Sequence, residues 1–254
     1  MKVLLVGIDG LILNRAIESG RAPHLSYLQI NSFFVETQVD MPTVSGPSWS
    51  TLLTGKRQDV HKVTSNQFTN HNLQAAPDLL TRAKIKNENL TTYAAAGWPP
   101  LIDPNDVGPV IADLGHIRFF NDGETLGYTQ VDREVFDHAI ETLNRNNPDL
   151  SFVYFCGVDE AGHKFGSLDT PYFDAIERID GYLKQLHQNL LDKEEEWLLV
   201  VITDHGHRDE GGHGGDSPQE RASFVIAHGI NQSHPSWPLD MQPHDLADLI
   251  LELV

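Results

Sequence analysis

Short, continuous apolar runs alternate along this chain with longer segments whose apolar residues recur at helical spacing. Runs of the first kind are typical of parallel strands buried on both faces, and the longer segments are typical of helices that cover such a sheet. The alternation therefore predicts an α/β fold with a mostly parallel central sheet and helices on both faces. Strands are predicted at 2–8, 90–97, 149–157, 196–202 and 222–227, and helices at 47–55, 76–86, 131–145, 170–190 and 244–254.

Two helix starts and one irregular segment complete this prediction. Asp132 and Thr170 are candidate N-caps, because a side-chain oxygen there can accept the first free N–H groups of a helix. Residues 98–131 are rich in Pro, Gly and Asp and fit neither period, which is typical of a functional lid or of a poorly ordered segment. A chain of 254 residues is then expected to form one domain over 1–254, with 98–131 as a lid-like insertion within it.

Charge and cysteine content argue against several partners and compartments. The formal net charge is −18, and such a surface repels nucleic acid and anionic membranes. No apolar run approaches the roughly 20 residues of a membrane span, and the run that follows Met1 is too short for a signal peptide. Cys156 is the single cysteine, so no internal disulfide is expected and a cytoplasmic location is predicted. The oligomeric state is left open.

Acidic residues and histidines follow three of the predicted strands. The carboxyl ends of parallel strands meet at one edge of a sheet, where ligands bind. One Asp or His after a strand is most often a helix cap, but six at one edge, each close to a glycine, favour a metal site. Asp and His ligands suit Zn²⁺ best, with Mn²⁺ as the weaker alternative. The six residues are Asp9, Asp159, His163, Asp204, His205 and His213.

Ser45 is a candidate nucleophile beside this edge. It precedes a predicted helix, and the backbone N–H groups at the start of a helix attract anions. Taken alone, however, Ser45, Ser48 or Ser50 would be interpreted as the N-cap of that helix, which is a common role for serine. Further residues are needed to choose between the two interpretations.

Several motifs occur in the order found in one enzyme family. They are "VLLVGIDGL", "PTVSGPSWSTLLTG", "GWPP", "DEAGH", "TDHG" and "GGHGG", and they extend over nearly the whole chain. With these motifs the chain resembles the alkaline phosphatase superfamily, and within it the type I phosphodiesterase/nucleotide pyrophosphatase branch. The resemblance implies the same α/β core. Larger members add a cap domain, for which 98–131 is too short, so no large cap domain is expected.

The resemblance also implies a role for each matched residue. Ser45 would be the catalytic nucleophile, while the Gly46 backbone N–H and the Asn66 side chain in "HKVTSN" would bind phosphoryl oxygens. The cofactors would be two divalent ions per chain, which stabilise the attacking and leaving oxygens. One ion would be held by Asp159, His163 and His213, and the other by Asp9, Asp204, His205 and Ser45.

The implied activity is hydrolysis of a small phosphate ester by a phosphodiesterase or nucleotide pyrophosphatase, through a phosphoserine intermediate. A phosphomonoesterase or phosphonate hydrolase with the same core is the alternative, and a metal-binding protein without catalysis is an alternative of a different class. A sulfatase is rejected, because Trp49 replaces the arginine of the sulfatase signature. A phosphomutase is disfavoured, because its large inserted domain does not fit within 254 residues.

One departure from the family concerns recognition of a nucleotide base. Many nucleotide-cleaving relatives have an aromatic residue directly after the nucleophile, where this chain has Gly46. Trp49 and Trp98 are therefore the candidate substrate contacts, although either can also belong to the core. His207 follows the motif histidine by two positions, and either supports the metal ligands or lies exposed on its loop.

Overall fold

The sheet of this protein is described here from a computed structural model that covers residues 1–112 and 115–254. Its strands are β1 (Lys2–Ile8), β2 (Phe33–Gln38), β3 (Thr92–Ala96), β4 (Ile117–Phe120), β5 (Leu150–Phe155), β6 (Trp197–Ile202) and β7 (Ala222–Ile230). They form one sheet in the order β2-β7-β6-β1-β5-β3-β4. The strands from β6 to β4 in this order run parallel, β7 is antiparallel to β6, and β2 is antiparallel to β7. The predicted, mostly parallel central sheet is confirmed.

Helices cover both faces of this sheet. They are α1 (Leu13–Glu18), α2 (Pro23–Ile30), α3 (Ser45–Thr54), α4 (Gln58–His61), α5 (Leu79–Lys86), α6 (Gly123–Leu126), α7 (Tyr128–Arg145), α8 (Gly157–Phe165), α9 (Thr170–Leu191) and α10 (Leu246–Leu251), with 3₁₀ turns at Leu73–Ala75, Pro99–Leu101 and Pro243–Asp245. Among the described residues, no helix combines the length and the apolar character needed to cross a membrane.

Two buried clusters join the helices to the sheet. Successive residues of a strand point to opposite faces, so Val3 and Leu5 of β1 belong to one cluster and Leu4 and Val6 to the other. The first cluster includes residues of α3, α5 and α10, and the second includes residues of α2, α7 and α9. The core therefore lies on both sides of the sheet and leaves the carboxyl ends of its strands for the site.

Both predicted N-caps are wrong, and one of these residues has another role. α9 begins at Thr170 and is preceded by Asp169. α7 begins before Asp132, which therefore lies inside the helix. The buried Asp132 carboxylate instead accepts hydrogen bonds from the N–H groups of Cys156 and Gly157, at 3.1 and 2.8 Å. Asp132 thus fixes the start of α8, the helix that carries two of the predicted metal ligands.

The segment 98–131 contains more regular structure than the sequence predicted. β4 and α6 lie within it, and α7 begins there. β4 extends the sheet by pairing with β3; with four residues at an edge, it is too short to show a period. Asp113 and Leu114 lie outside the described residues. The assignment of 98–131 as a lid-like insertion stays a prediction, as does the single domain 1–254.

Histidines of three elements form a cluster between α2, α9 and β7. The Nε2 atom of His24 and the Nδ1 atom of His187 are 3.2 Å apart, and the ring centroids of His187 and His228 are 4.8 Å apart. Burial lowers the pKa of His24 to about 4, and nearby Lys184 adds to this effect. Burial likewise lowers the pKa of His187 to about 4, with a further contribution from His228.

We expect acidification from about pH 7 to about pH 5 to destabilise the fold through this cluster. Histidines in the unfolded chain titrate near pH 6.5, whereas His24 and His187 stay neutral in the folded protein until about pH 4. Between these values the unfolded state binds more protons, so the free energy of unfolding falls as the pH falls. In urea titrations at the two pH values, the free energy of unfolding of His187→Gln should fall less on acidification than that of wild type. His244→Gln, outside the cluster, should lose as much as wild type. Equal losses in all three proteins would contradict this.

Candidate active site

Four parts of the chain bring the predicted site residues to the carboxyl edge of the sheet. The loops after β1 and β6, the first residue of α3, and the first two turns of α8 each contribute. In α8, Asp159 and His163 are four residues apart and therefore lie on one face of the helix. The remaining residues are Asp9 after β1, Ser45 in α3, Asp204 and His205 after β6, and His213 in the glycine-rich loop before β7.

The Asp9 carboxylate is buried and is held by two aromatic side chains. The Trp49 indole Nε1 and the Tyr154 hydroxyl donate to Asp9 Oδ2 at 2.8 and 2.6 Å. Trp49 reaches this position because residue 7 is glycine, where a Cβ would lie 2.4 Å from the indole ring. The expectation that Trp49 contacts substrate is therefore wrong, because its ring is fully buried. With Oδ2 engaged, Asp9 Oδ1 is the oxygen left for a metal ion.

Ser45 lies between two candidate ligands and does not cap its helix. Its Oγ atom is 3.4 Å from Asp9 Oδ1 and 3.3 Å from His205 Nε2. The N-cap of α3 is Val44, which provides no side-chain hydrogen bond, so the interpretation of Ser45 as a cap is wrong. The hydroxyl instead faces the candidate ligands from the positive end of a ten-residue helix.

Asp204 and His205 complete the group around Ser45. Asp204 Oδ1 accepts the Gly10 N–H at 3.2 Å, and His205 Nε2 lies 3.2 Å from Asp204 Oδ2 and 3.5 Å from Asp9 Oδ1. Asp204 Oδ2 is buried and has no hydrogen-bond partner among the described residues. One ligand atom from each of Asp9, Asp204 and His205 lies within 4.8 Å of the other two. These three residues form a compact, fully buried group.

A second group is built around Asp159. His213 Nε2 is 3.3 Å from Asp159 Oδ1 and 2.8 Å from His163 Nε2, and His163 Nε2 is 3.5 Å from Asp159 Oδ2. The other ring nitrogen of His213 is 2.6 Å from the Thr43 carbonyl oxygen, which orients the ring. The His163 side chain is 47% exposed and is the least enclosed of the three. The structure thus brings the predicted trio together.

His207 joins this second group, although the sequence left its role open. The residue is fully buried, so its interpretation as an exposed loop residue is wrong. Its Nε2 atom is 2.8 Å from Asp159 Oδ1, and the ligand atoms of Asp159, His205, His207 and His213 lie within 4.8 Å of one another. The available sequence signal was the pair of histidines two positions apart directly after a strand.

The buried carboxylates of the groups around Asp9 and Asp159 make both suitable sites for divalent cations. Burial and the nearby Asp159 raise the pKa of Asp9 to about 7, and burial also raises the pKa of Asp204. Burial lowers the pKa of His205 well below its usual range, whereas hydrogen bonds from histidines outweigh burial and lower the pKa of Asp159. Over 1–112 and 115–254, the ion pairs of these three carboxylates involve histidines alone. Buried carboxylates beside imidazoles are stabilised by a metal ion.

Gly46 and Asn66 lie together, but not as predicted. The Gly46 N–H donates to Asn66 Oδ1 at 2.7 Å, so in this structure it is not free for a phosphoryl oxygen. The contact leaves Asn66 Nδ2 as the group that can donate to one. A Cβ at residue 46 would lie 2.9 Å from the Ser65 carbonyl oxygen, so an aromatic side chain directly after Ser45 does not fit this arrangement.

Trp98 follows β3 and lies next to the loop that carries Asn66. Its ring centroid is 6.1 Å from that of Phe68, two residues after Asn66. Trp98 is 9% exposed, so part of its edge is accessible. Contact between Trp98 and a substrate stays a prediction.

This chain belongs to the type I phosphodiesterase/nucleotide pyrophosphatase family, whose profile matches residues 3–217. Two curated relatives are GPI ethanolamine phosphate transferase 1 of Yarrowia lipolytica, 26% identical over 91% of this chain, and the catalytic subunit of GPI ethanolamine phosphate transferase 2 of Homo sapiens, 27% identical over 86%. The chain spans only 27% and 22% of the length of these relatives. The similarity therefore concerns one part of much longer proteins.

Solved structures share the fold over almost the whole chain. Phosphonoacetate hydrolase from Sinorhizobium meliloti 1021, in complex with phosphonoformate, superposes with a TM-score of 0.71 at 13% identity, covering 99% of this chain and 95% of that one. Murine ectonucleotide pyrophosphatase/phosphodiesterase 5 superposes with a TM-score of 0.71 at 18% identity, covering 100% and 94%. These similarities confirm the predicted fold.

Proposed function

We propose that this chain cleaves phosphate diesters with Ser45 as the nucleophile and two divalent metal ions as cofactors. The position of Ser45 Oγ carries the proposal, since it lies 3.4 Å from Asp9 Oδ1 and 3.3 Å from His205 Nε2 at the start of α3. A hydroxyl that shares the ligands of a metal site can be activated without a side-chain base. Membership of a phosphoester-processing family supports the substrate class.

The donor atoms fit Zn²⁺ best, because carboxylates and imidazoles in groups of three are typical of zinc sites with an open position. When bound, such ions supply electrophilic stabilisation of charge on the attacking and leaving oxygens. One ion would be held by Asp9, Asp204 and His205 beside Ser45, and the other by Asp159, His163 and His213.

The reaction consists of two displacements at phosphorus. Ser45 Oγ releases its proton to solvent and attacks phosphorus, the bond to the leaving alcohol breaks, and the leaving oxygen takes a proton from solvent. Water then attacks the phosphoserine and releases a proton to solvent, the bond between phosphorus and Oγ breaks, and Oγ takes a proton from solvent. The Asn66 amide donates to an oxygen of the phosphoryl group in both steps, where added negative charge develops.

A phosphoryl transferase is a second candidate, favoured by the curated relatives that are named ethanolamine phosphate transferases. In a transferase, an alcohol rather than water attacks the phosphoserine. The first displacement and the role of Ser45 are then unchanged, so the acceptor of the second step alone separates the two candidates.

We expect the metal-loaded protein to cleave bis-p-nitrophenyl phosphate with a kcat/KM at least about 10-fold above that for p-nitrophenyl phosphate. The monoester carries one more negative charge than the diester. Among the described residues, the carboxylates of Asp9, Asp159 and Asp204 form ion pairs only with histidines, so no lysine or arginine paired with them offsets the additional charge of the monoester. The Ser45→Ala variant, purified in parallel, controls for contaminating phosphatases. A preference for the monoester would overturn the proposed diester specificity in favour of a phosphomonoesterase.

The same assay with added ethanolamine or glycerol separates hydrolysis from transfer. A hydrolase releases p-nitrophenyl phosphate as its product at every alcohol concentration. A transferase forms a new diester between p-nitrophenyl phosphate and the alcohol, in an amount that rises with alcohol concentration. Formation of that diester as the main product would replace the hydrolase proposal with the transferase.

A further inference from the structure

The His207 ring occupies a slot that two glycines leave open. A Cβ at Gly10, where φ is +66°, would lie 2.7 Å from His207 Nε2, and a Cβ at Gly162 would lie 2.8 Å from the ring. A side chain at either position would displace the imidazole. Both glycines are neighbours of candidate ligands, since Gly10 follows Asp9 and Gly162 precedes His163.

The slot directs one nitrogen of His207 at the candidate metal site. Nε2 lies 2.8 Å from Asp159 Oδ1, while Nδ1 is buried with no hydrogen-bond partner in the part of the chain that the structure describes. The backbone carbonyl of His207 accepts a hydrogen bond from the Gln219 side chain, which helps to hold this loop. The polar contact of the ring is therefore with the Asp159 carboxylate.

Three imidazoles surround that carboxylate. His207 Nε2 and His213 Nε2 approach the same oxygen, Asp159 Oδ1, at 2.8 and 3.3 Å. The His207 ring centroid is 5.0 Å from that of His213 and 5.1 Å from that of His163. His207 is fully enclosed, whereas His163 is half exposed. By burial and proximity, His207 is as well placed to bind a cation as the histidines matched by the family motifs.

We propose that His207 is a fourth protein ligand of the metal ion held by Asp159, His163 and His213. This inference rests on the proposed function, which requires an ion at that place. Catalytic zinc with three protein ligands keeps its open position at coordination number four. With a fourth protein ligand, an open position exists only at a coordination number above four. His207 Nε2 must carry no proton when it binds the ion. The ion near Asp159 is then held by four side chains, three of them imidazoles, whereas the ion near Asp9 is held by Asp204, His205 and Asp9 beside the Ser45 hydroxyl.

Titration of metal-free protein with Co²⁺, followed by visible absorbance and chelator competition, tests this inference without an activity assay. Wild type should bind two ions. His207→Ala and His207→Gln should each lose at least about 100-fold in affinity at one site, with a changed Co²⁺ spectrum there, and should retain the other site. His187→Gln is the matched control, because His187 is a buried histidine in another cluster, and this variant should leave both sites unchanged.

The glutamine variant separates ligation from positioning, because its amide can still donate to Asp159. Wild-type affinity and spectrum in His207→Gln would overturn the inference and make His207 a positioning residue. If His207→Ala does not fold, the glutamine variant decides alone. Two ions bound by wild type, with no change in the variants, would overturn this inference while the proposed function stands. Wild type that binds no ion would overturn both.

Discussion

Ser45→Ala should lower kcat on a phosphate diester by at least about 1,000-fold while both metal ions stay bound. In the proposed mechanism the Ser45 hydroxyl oxygen attacks phosphorus, so its removal leaves only direct attack by water. Asp9, Asp204 and His205 remain to hold the nearby ion, since their contacts with one another do not pass through Ser45. Steady-state kinetics and elemental analysis of the same sample measure the two quantities.

Two further substitutions make this result specific to the nucleophile. Ser48→Ala is the matched control, because Ser48 is a buried serine of the same helix whose hydroxyl has no hydrogen-bond partner among the described residues; its activity should be near wild type. Ser45→Thr retains the hydroxyl and should keep much of the activity. Near-normal turnover in Ser45→Ala would show that Ser45 is not the nucleophile.

Asp204→Asn should have opposite effects on the metal-free and the metal-loaded protein. Without metal, Asp204 is buried near Asp9 and Asp159, whose charges disfavour its ionised form together with burial. The amide removes that charge and can still accept the Gly10 N–H, so the metal-free variant should unfold at a higher temperature than metal-free wild type. Its ability to bind the ion beside Ser45 should be lost.

The loss of one metal site in Asp204→Asn should have a large effect on Tm, because a bound metal ion stabilises the folded state by mass action. At 1,000 times Kd, one bound ion contributes about 4 kcal/mol, or roughly 10 °C in Tm for a chain of this size. With two ions bound, wild type should show about twice this rise on addition of Zn²⁺, and Asp204→Asn should show only the part due to its other site. Asp240→Asn, an exposed substitution, should behave as wild type. An equal rise in Asp204→Asn and wild type would contradict a role for Asp204 as ligand.

The central strands and the ligand edge could be predicted because their signals are local. β1, β5 and β6 are almost entirely apolar and buried, since neighbours and helices cover them. Asp9 and the Asp204-His205 pair follow such strands, so the point at which the apolar run ends also gives the position of the candidate metal ligands. The motif around Ser45 added the candidate nucleophile, whose Oγ atom lies 3.4 Å from Asp9 Oδ1 and 3.3 Å from His205 Nε2.

Elements at the edges of the sheet could not be predicted in the same way. β2 has a half-exposed, mixed pattern, and the four residues of β4 are all partly or fully exposed, so neither shows the continuous apolar run of a central strand. β7 was predicted as a strand, but its antiparallel direction depends on pairing with β6 and β2. Strand direction in this part of the sheet follows from tertiary contacts rather than from composition.

Side-chain roles that depend on residues far away in the chain could not be predicted from the sequence either. Trp49 was expected at the substrate, yet its indole is directed to Asp9 because residue 7 is a glycine 42 positions away in the chain. Asp132 was expected to cap its own helix, but it binds the start of α8 across 24 and 25 residues. The enclosure of His207 depends on Gly10 and Gly162. Each of these contacts exists only after the chain has folded.

An acid quench during turnover of a phosphate diester tests the central claim most directly. Quenching within the first turnovers, followed by proteolysis and mass spectrometry, should recover the peptide that contains Ser45 with the phosphoryl group and its remaining ester attached to Oγ. The adduct should be absent from Ser45→Ala and from metal-free protein. Quantitative product formation without any adduct on Ser45 would contradict the proposed mechanism, because it would mean that water attacks the diester directly.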